Sequence, residues 1–226
     1  MKRLLTFVVL VFWMGNALAL GFHFGVHGGK DFYSISSMDK GFQLADLTEA
    51  RVEREGFSNP WLAGVDLQWD LLMGLKLEAT AEAAYHSYNV VYTRNDPQPG
   101  DPFHKLVSEY DVKFARAGLV GSLKMNILPL PIVDLYFGGG AGIHWIAPLV
   151  SDKFLMGTLM DKAAELDPSE DVKVESRLGG HLLVGASIHP PMFPLKFALE
   201  AKYNFLQSGE YEEPDKFATV VLKIFF

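Results

Sequence analysis

The chain has 226 residues, is 49% hydrophobic, and carries 20 Lys and Arg against 27 Asp and Glu with no cysteine. The absence of thiols excludes a disulfide framework, a Cys-ligated metal site and a lipidated cysteine anchor. The acidic balance argues against nucleic acid as a partner, and the length suits a single domain.

The first nineteen residues, MKRLLTFVVLVFWMGNALA, have two cations, an apolar run from Leu4 to Met14, and the small residues Ala17 and Ala19 in an A-x-A arrangement. These are the three parts of a secretory signal peptide, with cleavage expected after Ala19. The apolar run is too short for a typical spanning helix, and no later stretch is long and apolar enough to supply one. Without the leader, 18 Lys and Arg remain against 27 Asp and Glu, a net charge of −9.

From residue 20 onward the sequence alternates with period two. In WLAGVDLQWDL, Trp61, Ala63, Val65, Leu67 and Trp69 share one face, and Asp66 and Asp70 share the other. In LKLEATAEAAYHSY, Leu75 to Tyr85 at odd positions oppose Lys76, Glu78 and Glu82. In LKFALEAKYNF, Leu195 to Phe205 at odd positions oppose Lys196, Glu200 and Lys202. Such alternation marks strands with one apolar and one polar face. Eight segments follow it: 22–30, 61–72, 75–88, 109–125, 132–145, 175–188, 195–206 and 216–226. The fourth keeps Asp111, Lys113, Arg116 and Lys124 on one face only if a β-bulge lies near Ala115.

The connections at 73–74, 126–131 and 189–194 are short and rich in Gly and Pro. Those at 31–60, 89–108, 146–174 and 207–215 are longer. Alternating short and long connections along antiparallel strands put all the long ones at one end. That is the asymmetry of an eight-stranded antiparallel up-and-down transmembrane β-barrel. A soluble eight-stranded barrel with an apolar lumen is the inverted alternative. Trp61 and Trp69, eight residues apart on one face, argue against it. They span about 26 Å along a strand, or roughly 20 Å of bilayer once tilted, near the height of an apolar band. With Trp145 and Tyr203 they form an expected aromatic girdle.

The polar face supplies the expected lumen: Asp66, Asp70, Lys76, Glu78, Glu82, Asp111, Lys113, Arg116, Asp134, His144, Arg177, His181, Lys196, Glu200, Lys202 and Lys223. Charges of both signs packed in a narrow cylinder can pair across strands. Gly25, Gly29, Gly64, Ala84, Gly179 and Gly185 on the same face leave room for a narrow pore. The acidic excess falls on the long connections, suggesting cation capture or simply a soluble surface. No loop has the spacing of a calcium site. In 151–167, Phe154, Leu155, Leu159 and Met160 suggest a short amphipathic helix.

Ala218, Val220, Leu222, Ile224 and Phe226 form the apolar face of the last strand, which ends on an aromatic residue. This resembles the C-terminal assembly signal of bacterial outer-membrane proteins. With the leader, the eight strands and the loop asymmetry, the chain resembles the small outer-membrane β-barrel superfamily of the OmpX, OmpW and OmpA-barrel type. The resemblance implies the bacterial outer membrane as location and the barrel-assembly machinery as a partner during insertion. It also implies contact with outer-membrane lipid and lipopolysaccharide. A closed cylinder of this size is expected to be a monomer.

No motif asks for a cofactor or a metal. FGGGAG at 137–142 lies within a strand and lacks the final glycine of a dinucleotide loop. YHSYN at 85–89 is faintly similar to the His-x-Ser-Asn signature of lipid A deacylases. However, His86 and Ser87 are adjacent, so they point to opposite faces and cannot act as base and nucleophile. The expected function is non-enzymatic, structural or surface-interacting. A narrow passive channel is the alternative, and a lipid A-modifying enzyme the third possibility. Eight strands leave an interior that side chains can fill, which favours the first.

Overall fold

The computed structural model describes residues 21–43, 48–71, 74–101, 103–130, 132–147, 174–190, 194–209 and 214–226. The leader with Ala17 and Ala19, the apolar stretch at Phe154, Leu155, Leu159 and Met160, and Glu210, Glu212 and Glu213 lie outside them.

Eight strands close into a barrel. They are β1 (Phe22–Phe32), β6 (Trp61–Asp70), β7 (Leu75–Asn95), β8 (Lys105–Pro129), β9 (Val133–Ile146), β10 (Glu175–Ile188), β11 (Lys196–Leu206) and β12 (Lys216–Phe225). Every neighbouring pair is antiparallel, and β1 pairs with both β6 and β12. The seam is complete to its end, with Gly25 opposite Phe225 and the Phe226 amide donating to the Phe24 carbonyl at 2.8 Å. Closure removes the edges that lipid would leave unpaired.

Four short strands fill the expected loop 31–60: β2 (Ser34–Ile35), β3 (Met38–Gln43), β4 (Glu49–Arg54) and β5 (Phe57–Ser58). β7 is long enough to take two partners on one edge. Its lower part pairs with β6 from Lys76 to Tyr85, and its upper part pairs with β4 from Val90 to Arg94. The expected loop 89–108 is likewise mostly strand, because β7 and β8 stay paired up to Asn95 and Lys105. Ten residues beyond Tyr85 rise about 33 Å along the strand, or roughly 25 Å above the girdle at a typical tilt.

In the lower part the outward residues are apolar: Phe24, Val65, Leu67, Leu77, Leu119, Leu123, Leu182, Leu199 and Leu222 are all exposed. The inward residues there are charged and buried, so the inverted soluble barrel is ruled out for this part. Trp61, Trp69, Trp145 and Tyr203 all face outward and are exposed. Trp69 stacks on Phe22 with ring centres 5.0 Å apart, and the Lys30 ammonium lies 4.2 Å from the centre of the Trp61 ring.

The expected bulge near Ala115 is absent. β7 and β8 run in one uninterrupted register from Leu75–Met125 to Asn95–Lys105, and the irregularity in β8 sits instead at Asn126–Leu128, beside β9. Even-numbered residues of β8 point inward throughout, from Val112 and Phe114 to Arg116, Ser122 and Lys124. Asp111 and Lys113 therefore point outward and are exposed, so neither lines the lumen. The pleat keeps its phase, while the chemistry of its two faces exchanges between Phe114 and Arg116. β7 makes the same exchange between Glu82 and Tyr88. Above that level the surroundings are water, so charged residues face out and apolar ones fill the inside.

Candidate functional site

The interior has two zones stacked along the barrel axis. In the membrane zone the inward charges fall into two groups of buried ion pairs. Lys223 of β12 is the hub of the lower group, with its ammonium 3.0 Å from Asp66, 2.7 Å from Glu78 and 3.1 Å from Glu200. Lys124 of β8 bridges Glu78 at 2.7 Å and Glu200 at 2.5 Å. Asp66 also accepts from the Thr80 hydroxyl at 2.8 Å and meets the His27 Nδ1 at 2.6 Å, while the Tyr136 hydroxyl donates to Glu200 at 3.1 Å.

Higher up, Glu82 accepts from Arg116 at 2.9 Å and from Lys202 at 3.1 Å. Arg116 also reaches Asp31 at 2.7 Å, and Asp31 accepts from the Thr219 hydroxyl at 2.7 Å. His144 Nδ1 lies 3.1 Å from Arg116, and Ser122 Oγ lies 2.9 Å from His181 Nε2. Each carboxylate has several donors, which a buried charge requires if it is not to be destabilising.

Of the sixteen residues expected in the lumen, Asp66, Glu78, Glu82, Arg116, His144, His181, Glu200, Lys202 and Lys223 meet in this zone. Lys76, Lys196, Asp134 and Asp70 lie at its lower mouth. Asp70 is largely exposed and hydrogen-bonded to His23 at 3.1 Å and Gln68 at 2.7 Å. Arg177 is buried at the external end, 2.7 Å from Glu175 and 3.8 Å from Asp215. Asp111 and Lys113 stand apart, on the outer surface. Asp31 is a further residue that sequence reasoning misplaced, in an external loop. Its partner Arg116 is 85 positions away, and only barrel closure brings the two together.

Space left by inward glycines is taken by neighbouring rings. A Cβ on Gly64 would lie 2.6 Å from the His27 ring, one on Gly118 2.9 Å from His144, and one on Gly25 2.7 Å from Phe225. One on Gly185 would collide with the Tyr136 ring. These glycines seat bulky neighbours.

The external zone is apolar. Ile35, Met38, Val52, Phe57, Tyr88, Val90, Val112, Phe114, Ile146, Leu206 and Phe217 form one buried cluster directly above the ion pairs. Phe57, from β5, lies at its centre, with ring centres 4.7 Å from His86, 5.5 Å from Tyr88 and 5.4 Å from Phe114. The Arg116 guanidinium sits 5.0 Å from the Phe217 ring centre, where the two zones meet. The short strands β2 to β5 thus supply Ile35, Met38, Val52 and Phe57 to a packed head.

Catalytic geometry is sparse. His86 packs inward on Phe57 while Ser87 is exposed outward, so the deacylase-like pair does not form. Ser122 and His181 have the contact of a nucleophile and its base, yet both are buried within the lumen. No cluster suited to a metal ion occurs among the described residues. At the lower rim, burial holds the His189 imidazole below its ordinary range, assisted by the Lys196 charge.

A closed antiparallel cylinder, apolar outside and ionic inside, has one setting. This is the fold of an outer-membrane β-barrel. Neisserial surface protein A has a similar fold, with a TM-score of 0.50 at 9% identity over 91% of this chain and 96% of that one. Ail, the attachment invasion locus protein of Yersinia pestis, solved with the heparin analogue sucrose octasulfate, matches at TM-score 0.41 and 13% identity over 90% and 97%. The outer membrane protease OmpT of Escherichia coli matches at 0.37 and 11% over 90% and 94%. The sequence matches no protein-family model and no curated protein.

Proposed function

We propose that this outer-membrane barrel is a non-enzymatic, non-conducting monomer that works through the folded head it holds above the bilayer. The observation that carries this reading is the apolar cluster around Phe57, Val90 and Phe114, which fills the external end of the cylinder. A hydrated ion entering from the lower end would meet paired charges and then a dry plug, one entering from outside would meet the plug first, and crossing the plug would require shedding water. The head's outer face carries exposed charges that can meet a partner: Glu109, Asp111 and Lys113 on β8, and the Asp39–Arg51 ion pair on the β3–β4 hairpin. Outer-membrane lipid and lipopolysaccharide would contact the belt between Trp61 and Trp69. The barrel-assembly machinery would read the strand that ends at Phe226.

Planar-bilayer recording of the purified, folded chain tests the reading. The expected result is no steady conductance steps. Reproducible steps altered by Lys223→Met would overturn the plug and support a narrow channel. Release of fatty acid from lipopolysaccharide would overturn the non-enzymatic assignment.

A further inference from the structure

The lipid-facing wall of the cylinder is not smooth. Phe24 of β1, Val65 and Leu67 of β6 and Leu119 of β8 stand out from it, while Ala79 and Ala81 of β7 and Gly121 of β8 stay low. Together they form a groove of about 500 Å³. Ala81 faces outward yet is half-buried at the floor. One rung higher in the register, Ala63, Ala83 and Ala117 stand side by side, so no large side chain of β6, β7 or β8 closes the groove above. Lys30, Trp61 and Tyr85 share the next rung. From Tyr85 down to Ala79 is about 20 Å along the strand, the length of an extended long acyl chain.

Charge at the head of the groove is the second observation. Lys30 is half-buried, with its ammonium 4.2 Å from the centre of the Trp61 ring. No carboxylate lies within ion-pair distance of it among the described residues. Its chain neighbour Asp31 points inward and is held by Arg116. Lys113 of β8 faces outward one rung above Tyr85, opposite Ser87, and Asp111 lies a further rung up, toward water. Between the Trp69 and Trp61 rungs no acidic side chain faces outward on β1, β6, β7 or β8. A cation packed on an aromatic ring at the edge of the apolar band is held at the level of lipid headgroups.

We propose that this groove seats one phosphorylated lipid of the outer leaflet. The Lys30 ammonium donates to a phosphate oxygen, and Lys113 adds its charge from the other side of the groove's head. One acyl chain runs down past Ala83 and Ala81 to Ala79 and Gly121. The charge-assisted hydrogen bond fixes the headgroup, and the small side chains let the acyl chain lie close against the wall. The site rests on the reading that lipopolysaccharide meets the belt between Trp61 and Trp69, and needs neither the plug nor the head.

Purified lipid A, with its phosphates or after their enzymatic removal, is the probe. It is added to the full folded barrel in a non-ionic detergent, and the complexes are counted by native mass spectrometry. One phosphorylated lipid A should stay bound per barrel, in preference to the dephosphorylated form. Lys30→Gln should weaken retention about fivefold, the scale of one lysine at an anionic lipid surface. Ala81→Phe, which fills the groove, should also weaken it, and Lys216→Gln on β12 should not. Should heat-modifiable gel migration show that Lys30→Gln or Ala81→Phe does not fold, the unmutated barrel serves instead. There, lipid A should slow acetylation of Lys30 and leave exposed Lys216 unchanged. No retention, retention equal in all variants, or Lys30 acetylation indifferent to lipid A would overturn the site. A dimer that Ala81→Phe disperses would give the groove to a second copy and overturn it too. The belt reading fails separately, if a nitroxide at position 81 proves water-accessible in the reconstituted barrel.

Discussion

Glu82 illustrates how single residues hold the lumen. Its two oxygens are shared between Arg116 and Lys202, and Arg116 in turn is held by Asp31. Glu82→Leu keeps the volume but leaves two buried cations short of a partner. Breaking a buried pair from one side typically costs about 3–5 kcal/mol. Urea unfolding in detergent micelles, followed by tryptophan fluorescence, should show a loss of that order; an unchanged midpoint would mean the pairs contribute nothing. The sequence makes Glu78, Glu82, Glu200 and Lys202 legible as inward residues because period two separates the faces. It does not reveal who pairs with whom. Asp31 with Arg116, Lys124 with Glu200 and Lys223 with Asp66 are far apart in the chain and meet only through the stagger of the closed strands.

Elements fit together here through close backbone approach as much as through side chains. On β1, Gly28 faces outward and a Cβ there would meet only the Leu62 carbonyl, at 3.9 Å. Gly29 faces inward, and a Cβ there would fall onto the Val220 carbonyl oxygen of β12. Gly28→Ala should leave closure intact, while Gly29→Val should block the β1–β12 seam. Heat-modifiable gel migration reads the difference: a folded, fast-migrating band for the first and little or none for the second. Equal migration of both would contradict the seam geometry. The strand cores were legible, with Glu175–Ile188 placed to the residue. The strand tops were not. In β8 the apolar set moves from odd positions such as Leu119 and Leu123 to even ones such as Val112 and Phe114. A sequence reader meets this as a slip in phase and inserts a bulge. The backbone has no slip; the solvent outside changes from lipid to water.

At the scale of the whole molecule, that exchange creates two bodies sharing one wall. One is a membrane cylinder with an ionic core, and the other is a head with an apolar core built partly from β2 to β5. The head was illegible because its strands are short: β2 and β5 have two residues each, too few for any period to register. The outward face of β7 runs through both bodies, and the chain has no cysteine, so single cysteines can be placed there without background. Nitroxide labels at positions 77, 81, 83, 87, 89 and 93, in the barrel reconstituted in lipid, give the most direct measurement, as accessibility to oxygen against a water-soluble relaxing agent. The account predicts oxygen-dominated, lipid-like values at Leu77, Ala81 and Ala83, and water-like values at Ser87, Asn89 and Thr93. Water-like values at all six would contradict it, and so would lipid-like values continuing to Thr93.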